Sequence, residues 1–183
     1  MELPRNKDYQ IQPLRDIDVS QFDCGDADLN DFFRENAKDN ESELVSKTYF
    51  LTRKSNNFPL VAFCVSNSSI ETTSDIDMVI SPQSQYNDYP AVRIGRFATH
   101  KEHRKNGLGI ITMDLIKNWF LFSNKTGCRF IIVDSRKTDE AQKFYKKNGF
   151  EDYPIQDNNK NTVLKFFDLK PLEIAIRRLD LSF

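Results

Sequence analysis

Arg104-Lys105-Asn106-Gly107-Leu108-Gly109 is the most informative stretch of this chain. It follows a run rich in apolar residues, Val92 to Thr99, and two of the chain's six glycines lie in it. Glycine allows backbone conformations and close ligand approaches that other residues disfavour. The N–H groups of such a turn, leading into a helix, form a site for phosphate oxygens, and Arg104 and Lys105 add positive charge. Similar turns also precede helices that bind no ligand, so the flanking strand and helix carry part of the argument.

The residues after this turn have the periodicity of a helix that is buried on one side. Apolar side chains recur along it at spacings of three and four: Leu108, Ile111, Leu115, Trp119 and Phe122. The pattern places Trp119 in the core. A short apolar run, Cys128 to Val133, comes next and predicts a strand that is covered on both faces.

A second helix is predicted from its end signals. Thr138 is a suitable N-cap, Lys146 and Lys147 occupy the last turn, and Gly149 stands at the C′ position. After it, the sequence predicts two strands and a short final helix that starts at Pro171 and packs either on the domain or on a second subunit. The strands are Phe150 to Tyr153 and Thr162 to Leu169.

The N-terminal half predicts a strand, a helix and a hairpin. A first strand spans Tyr9 to Leu14, and a helix capped by Asp26 or Asp28 follows a turn at residues 22–25. Two strand-like runs around a turn at residues 54–59 predict the hairpin. These runs are Thr48 to Thr52 and Leu60 to Val65. Residues 67–90 are polar, contain two prolines and predict mostly loop, with a short helix as the alternative within it.

The composition is that of one globular domain. The 183 residues, 39% of them hydrophobic, suit a single domain over residues 1–183, with residues 171–183 as a helical tail. Three irregularly spaced cysteines indicate buried free thiols rather than disulfides or a metal site. The polar N-terminus and the absence of a long apolar run predict a cytoplasmic protein with no membrane partner.

The net charge of −1 conceals an asymmetry. Residues 1–90 carry 8 Lys and Arg against 16 Asp and Glu, whereas residues 91–183 carry 18 against 11. The positive half contains the proposed phosphate site, as a polyanionic ligand would require. Most of these cations are nevertheless ordinary solvated side chains.

The order of these elements, with Phe144-Tyr145-Lys146-Lys147-Asn148-Gly149-Phe150 at the end of the second helix, resembles the GNAT acetyltransferase superfamily. The resemblance covers residues 91–153 most closely. It implies an α/β fold with a mixed, mostly antiparallel sheet of six to seven strands flanked by helices. Two central strands would separate in a V-shaped split that accepts acetyl-CoA, the co-substrate.

The resemblance also implies the site residues. Tyr145 would meet the departing sulfur, although its spacing alone would make it a core aromatic. The acetyl carbonyl would accept an N–H near Phe97 or Ala98. The cofactor would be held by main-chain groups of Phe97, Ala98 and Thr99 along the pantetheine arm, and of Arg104, Lys105, Asn106, Gly107, Leu108 and Gly109 at the pyrophosphate. Thr138 departs from the pattern, because many family members have Asn there.

A narrower resemblance concerns the acceptor. Phe22-x-Cys24-Gly25-x-x-x-Leu29-Asn30-x-Phe32-Phe33 and Pro90-x-x-x-x-Gly95-Arg96-Phe97-Ala98 are similar to sequences of acetyltransferase toxins from toxin–antitoxin operons. Such toxins acetylate the amino acid of charged tRNA, which makes charged tRNA a candidate acceptor and an antitoxin a candidate partner. The alternatives are a small amine or a protein N-terminus as acceptor, or a non-catalytic CoA-binding interaction module. A homodimer also stays open.

No general base is evident. His100 and His103 are the only histidines, both flank the glycine turn, and we expect them to be surface residues first and candidates second. A lysine side chain, with a pKa of about 10.4, needs a proton removed near neutral pH, whereas an α-amine, with a pKa of about 8, is already partly neutral. The sequence therefore favours an α-amino acceptor.

Overall fold

The computed structural model describes residues 8–73, 86–122, 126–156 and 160–180. The chain divides into two compact units. The first comprises Met1–Ser66 and Ile94–Ile116, and the second comprises Asn67–Arg93 and Lys117–Phe183. No helix in the described ranges is long and apolar enough to cross a membrane.

The described residues form a seven-stranded sheet with the strand order β1-β2-β3-β4-β5-β7-β6. The pairs β1/β2, β2/β3, β5/β7 and β6/β7 are antiparallel. This confirms the predicted mostly antiparallel sheet, whereas the V-shaped split stays a prediction. The strands are β1 (Tyr9–Pro13), β2 (Lys47–Arg53), β3 (Pro59–Glu71), β4 (Asp88–Thr99), β5 (Phe130–Arg136), β6 (Glu151–Asp152) and β7 (Thr162–Asp168).

Helices accompany this sheet. Helix α1 is continuous but has three parts: Ala27–Asp31, a π-helical turn over Phe32–Asn36, and Ala37–Ser42. The Asp26 side chain caps it by accepting the N–H of Leu29 at 3.1 Å, as one of the two predicted caps. The others are α2 (Leu108–Phe122), α3 (Asp139–Lys147) and α4 (Leu169–Asp180).

The core of the first unit is largely aromatic. The Phe22 ring lies edge-to-face against Phe33 and Phe50, with centroids 5.6 Å apart in both pairs. Ala98 of β4 belongs to the same buried cluster, so α1 packs on this face of the sheet. A second cluster, which includes Leu60 and Leu108, lies where α2 packs. Strand β4 is therefore covered by apolar residues on both faces within this unit.

The second unit is built around β5 and β7, which pair from Phe130 with Asp168 to Arg136 with Thr162. Its core contains Phe130, Ile132 and Tyr153. Arg129 donates two hydrogen bonds to the carboxylate of Asp168, at 2.7 and 2.8 Å, which closes the end of this pair. Such bidentate pairs fix geometry as well as adding energy.

Several sequence-based expectations need correction. Residues 67–71 continue β3 and residues 88–90 belong to β4, so the segment predicted as mostly loop contains strand at both ends. Residues 74–85 lie outside the described residues. Helix α4 begins at Leu169, two residues before Pro171. A proline in the first turn is compatible with this, because N–H groups there have no partner inside the helix.

The buried face of α2 also differs from the expected one. Leu108 is buried, but Trp119 is only half-buried and Phe122 is 59% exposed. The positions that are buried include Met113, Ile116 and Lys117. Apolar residues surround much of this helix, so the spacing rule alone does not determine which stripe faces the interior.

Candidate functional site

The turn before α2 has an unusual backbone. Lys105 has a φ of 63° and Gly107 a φ of 76°, both in the left-handed region. The carbonyl oxygen of Gly107 then accepts the N–H groups of Ile110 and Ile111, at 3.0 and 3.1 Å, and so starts the helix. A non-glycine residue at positive φ is uncommon, and such residues concentrate at functional sites.

The amides of this turn are free to bind a ligand. The backbone N–H groups of residues 104–109 donate no hydrogen bond to any residue within the described ranges. Residues 104–107 are exposed, and a Cβ placed on Gly107 would have no heavy atom within 4 Å. Exposed N–H groups at the N-terminus of a fifteen-residue helix form an anion site. The turn therefore fits the diphosphate of a nucleotide.

The N-terminal motif anchors the segment that enters this turn. The backbone N–H of Lys101 donates to the carbonyl oxygen of Asp23 at 2.8 Å, and its Nζ lies 2.7 Å from Asp23 Oδ2. The guanidinium of Arg104 donates to the carbonyl oxygen of Cys24. Gly25, with a φ of 74°, lies close to both cations, since a Cβ there would be 3.7 Å from the Lys101 Cβ and 3.8 Å from the Arg104 Nη2. This arrangement gives a structural reason for the Phe22-x-Cys24-Gly25 motif.

The Arg104 side chain was expected to add positive charge to the phosphate site, but the structure gives it another contact. Its backbone belongs to the turn, but its guanidinium contacts the Cys24 carbonyl instead of pointing only to the mouth of the site. Lys105 is exposed and keeps its charge beside the amides. The positive charge available to an anion is therefore assigned mainly to Lys105 and to the helix N-terminus.

Strand β4 leads directly into this region. Phe97 packs with the cluster that contains Leu108, whereas Ala98 is buried in the cluster beside α1. Gly95 allows the close approach that the sequence predicted, because a Cβ there would lie 3.2 Å from the Sγ atom of Cys64. Thr99 is half-buried at the end of the strand. Within this unit, the predicted residues 97–99 and 104–109 are brought together by the Phe97–Leu108 cluster.

The expectation for His100 was wrong, because this side chain is buried. Its ring lies between Phe22 and Phe58, at centroid distances of 6.1 and 5.2 Å, and its Nδ1 accepts the N–H of Glu102 at 3.3 Å. His103 is half-buried, and burial together with Arg53 and His100 lowers its pKa. His103 is therefore predominantly neutral at physiological pH.

Tyr145 lies in α3 of the second unit. Its side chain is 8% exposed, and its ring lies edge-to-face against Phe144 and Phe150, at 5.1 and 5.4 Å. Burial raises the pKa of its hydroxyl well above the usual range, so it remains protonated at physiological pH. It can therefore act as a hydrogen-bond donor. No hydrogen bond joins this hydroxyl to the residues that the structure describes.

The two ends of α3 follow the predicted pattern. The Thr138 side chain accepts the N–H of Ala141 at 3.4 Å, and Gly149 has a φ of 76° at the C′ position. Thr138 thus serves as the helix cap. Two features were missed by sequence reasoning: the contacts of Asp23 with Lys101, for which Gly25 was the only local signal, and the burial of Lys117, for which there was none.

Comparison with known proteins agrees with this architecture. Residues 64–152 match the family model of the acetyltransferase (GNAT) domain. A tyrosine-to-phenylalanine mutant of KacT is 23% identical over 92% of this chain and 99% of its own, with a TM-score of 0.71.

Two structures of AtaT are also similar. AtaT complexed with acetyl-methionyl-tRNAfMet is 24% identical over 92% of this chain and 99% of its own, with a TM-score of 0.68. An AtaT mutant toxin bound to acetyl-CoA and the C-terminus of the antitoxin AtaR is 23% identical over 93% of this chain and 99% of its own, with a TM-score of 0.67. These likenesses show a shared fold. Residues 64–152 of this chain are therefore similar in sequence to the acetyltransferase (GNAT) domain.

Proposed function

We propose that this chain is an acetyl-CoA-dependent N-acetyltransferase that acts on a primary amine, with the α-amine of an aminoacyl-tRNA as its acceptor. The observation that carries the proposal is that the N–H groups of residues 104–109 donate to no residue in the described part of the chain, while Lys105 and Gly107 have left-handed conformations. A turn with this geometry can bind a diphosphate without first breaking bonds within the protein. The family match supplies the reaction class.

The chain's groups suit the two ends of acetyl-CoA, which supplies an acetyl group activated as a thioester. The N–H groups of residues 104–109 would donate to diphosphate oxygens, assisted by the partial charge at the start of α2. Lys105 adds a full positive charge. Because Arg104 is held by the Cys24 carbonyl, the loop that enters the site is anchored. Anchoring lowers the entropy lost on binding.

We assign the main-chain groups of Phe97, Ala98 and Thr99 to the pantetheine arm. An extended amide chain can use a strand's hydrogen-bonding groups as an additional strand does. An N–H at Phe97 or Ala98 is the proposed donor to the acetyl carbonyl oxygen, where negative charge develops during attack. Ala98 and Phe97 pack into apolar clusters on opposite faces of β4, which supports this backbone from both sides.

Tyr145 is the proposed donor to the departing sulfur. Reference pKa values of about 10 for Tyr and 8.5 for a thiol make full proton transfer unfavourable by about 2 kcal/mol. Burial raises the pKa of Tyr145 further, which enlarges this difference. The role that we propose for Tyr145 is therefore a hydrogen bond from Oη that strengthens as negative charge develops on sulfur. The attacking amine loses one proton on forming the amide, and the thiolate gains one proton to become the thiol, so Tyr145 keeps its own proton overall.

Two observations favour the α-amine of an aminoacyl-tRNA as the acceptor: the lack of an evident general base among the described residues, and the positive charge of residues 91–183. Neither histidine is an evident general base. His100 is buried against the Phe58 ring, and the His103 ring packs against both Phe58 and His100. An α-amine is partly neutral near pH 8 and needs little help, unlike a lysine side chain. Residues 91–183 carry 18 Lys and Arg against 11 Asp and Glu, which suits a polyanionic acceptor.

The acceptor is tested with labelled acetyl-CoA on charged tRNA, uncharged tRNA, free amino acids and short peptides. We expect label on the amino acid released by mild alkaline hydrolysis of the charged tRNA, and none on uncharged tRNA. Calorimetry with acetyl-CoA alone measures binding of the co-substrate separately from transfer. Absence of acetyl-CoA binding would overturn the assignment as an enzyme. Transfer only to free amines or peptides would show that aminoacyl-tRNA is not the acceptor.

The second candidate function is a non-catalytic module that binds CoA and a partner protein. It shares the free amides of the turn, so binding alone does not separate it from an enzyme. The protonated, buried Tyr145 favours the enzyme, because a module would not need a donor there. Binding of acetyl-CoA without thioester consumption on every acceptor would favour the module.

We extend the proposal to organisation and partners. Residues 1–183 would form one cytoplasmic acetyltransferase domain with residues 171–183 as a helical tail, since 92–93% of this chain covers 99% of the similar KacT and AtaT chains. An antitoxin is the proposed protein partner, as AtaR is for AtaT. Leu169 is buried but Leu179 is 64% exposed, so the end of α4 is a candidate homodimer contact. Light scattering of the purified protein tests the dimer.

A further inference from the structure

Lys117 is buried although lysine is rarely found inside proteins. It lies in α2 with only 6% of its surface exposed. Its Nζ donates a hydrogen bond of 2.7 Å to the carbonyl oxygen of Asn148 and lies 4.2 Å from the ring centroid of Phe167. A carbonyl oxygen and an aromatic face both stabilise an ammonium group. These contacts offset part of the cost of burying the charge.

The Asn148 carbonyl belongs to the C-terminal end of α3, the helix that carries Tyr145. The Asn148 side chain donates to the Phe144 carbonyl at 2.8 Å, and its backbone N–H lies 3.1 Å from the carbonyl oxygens of Phe144 and Tyr145. A cation at the C-terminal end of a helix also interacts favourably with the negative pole of the helix dipole. Lys117 is thus attached to the structure that ends the helix.

Packing links the same structure to the Tyr145 ring. The N–H of Phe150 donates to the Tyr145 carbonyl at 3.0 Å, and the two rings are 5.4 Å apart. Phe167, beneath the Lys117 ammonium, lies 5.6 Å from the Phe150 ring. It also lies against Gly149, where a Cβ would be 3.2 Å from its Cε2 atom. Lys117, Phe167 and residues 148–150 therefore form one packed group next to Tyr145, in which Lys117, Asn148 and Phe150 are buried.

We propose that Lys117 is a positioning residue for Tyr145: it fixes residues 148–150 and thereby the direction of the tyrosine hydroxyl. The inference rests on the proposed role of Tyr145 in acetyl transfer. Packing alone would be served by an apolar side chain, without the cost of burying an ammonium group. The cation adds a directed bond to one carbonyl oxygen. A displacement of Tyr145 by a fraction of an ångström would then lower turnover without affecting the amides of residues 104–109.

The first test compares Lys117→Met with Lys147→Met, which makes the same chemical change at an exposed position in the last turn of α3, the helix end that Lys117 contacts. We expect Lys117→Met to lower kcat roughly 10- to 100-fold, with acetyl-CoA affinity within about twofold of the wild type. Lys117→Gln, which keeps a donor, should lie between them and serves as the variant if Lys117→Met does not fold. Lys147→Met should keep wild-type turnover. A lower melting temperature with unchanged kcat would show a purely structural role and overturn the proposal.

A double-mutant cycle with Tyr145→Phe separates this inference from the proposed function. If Lys117 acts through the tyrosine hydroxyl, Lys117→Met should have little further effect on kcat in the Tyr145→Phe background. An equal fold-loss in both backgrounds would overturn the positioning role while leaving Tyr145 in the mechanism. Wild-type turnover of Tyr145→Phe alone would instead remove the proposed function of Tyr145.

A readout without cofactor completes the test. In the ligand-free protein, the Tyr145 Cζ signal in NMR should shift, and the amides of Asn148 and Phe150 should exchange faster, in Lys117→Met but not in Lys147→Met. Unchanged signals and exchange in Lys117→Met would contradict the proposed attachment.

Discussion

The Nζ atom of Lys101 lies 2.7 Å from the Oδ2 atom of Asp23, and this ion pair joins the N-terminal motif to the segment that enters the glycine turn. The Asp23 carboxylate also accepts the N–H of Gly25 at 2.7 Å and the Nδ2 of Asn30 at 2.8 Å. The hydrogen bonds from Lys101, Asn30 and Gly25 hold the pKa of Asp23 well below its usual range. One carboxylate therefore organises the approach to the candidate cofactor site.

Asp23→Asn should weaken acetyl-CoA binding modestly, by no more than about fivefold, because exposed ion pairs contribute little and the turn keeps its other contacts. Since the folded pKa of Asp23 is depressed, its contribution to stability is present above the unfolded pKa of about 4 and is lost as pH falls below it. The difference between the urea midpoints of wild type and variant should therefore shrink on acidification. Asp31→Asn, at an exposed position of α1, is the control; a difference independent of pH would contradict the assignment.

Gly107→Ala should fold but bind acetyl-CoA poorly. Alanine at a φ of 76° costs on the order of 1–2 kcal/mol of stability. The new Cβ meets no protein atom within 4 Å, so no clash is added in the ligand-free protein. It would instead occupy space that the proposed diphosphate needs, and we expect affinity to fall at least about tenfold, measured by calorimetry.

Gly127→Ala is a suitable control for this variant, because Gly127 lacks a positive φ and a Cβ there would be 4.0 Å from Pro90. It should leave acetyl-CoA affinity unchanged. Wild-type affinity in Gly107→Ala would show that the turn does not hold the diphosphate as proposed.

The sequence predicted those parts of the molecule that depend on local signals. The turn at residues 104–109, the Thr138 cap and Gly149 at positive φ follow from the preferences of single residues at helix ends. Strand β4 follows from its apolar content. These features require no knowledge of distant contacts, and together they carry the family resemblance.

The remainder depends on residues far apart in the sequence. Arg104 donates to a carbonyl eighty positions away, and His100 is buried because Phe22 and Phe58 cover its ring. Lys117 occupies the interior because its partners, the Asn148 carbonyl and Phe167, come from other elements. A one-dimensional pattern contains polarity and spacing but not these partners, so it assigned the histidines to the surface.

Tyr145→Phe should lower kcat roughly 10²- to 10⁴-fold while leaving acetyl-CoA affinity little changed, because it removes only the proposed donor. Burial raises the Tyr145 pKa, so the tyrosine should not produce an alkaline limb in the rate profile between pH 7 and its ordinary pKa of about 10. Any rise of rate with pH in this window is then assigned to deprotonation of the acceptor amine. Near-normal turnover of the variant, measured with saturating acetyl-CoA, would exclude Tyr145 from the mechanism.

The cysteine thiols should react slowly and contribute to alkaline unfolding. Burial raises the pKa of both Cys64 and Cys128 to about 11, so at pH 8 little thiolate is present in the folded protein. In the unfolded chain these thiols ionise near pH 8.5. Ionisation there favours unfolding, so this contribution to stability is complete below about pH 8 and is lost as pH rises toward 11.

Iodoacetamide labelling with and without urea measures this difference directly. We expect slow labelling at pH 8 without urea and rapid labelling of all three cysteines in urea. The free energy of unfolding should decrease between pH 8 and pH 10, and less so in Cys64→Ala than in wild type. Rapid labelling of Cys64 in the folded protein would contradict its burial.

Acetylation of charged tRNA should depend steeply on salt. Neutralising phosphates releases counterions, and three phosphate contacts predict a fall in kcat/KM of roughly 20- to 40-fold between 50 and 200 mM salt. The cations in question come from the half of the chain with 18 Lys and Arg against 11 Asp and Glu. Because acetyl-CoA is itself an anion, its affinity is measured by calorimetry at each salt concentration, and the assay uses saturating cofactor. With a small free amine as acceptor, kcat/KM should change little with salt under those conditions. An equally small change with charged tRNA would exclude extensive phosphate contact and favour the small amine as acceptor.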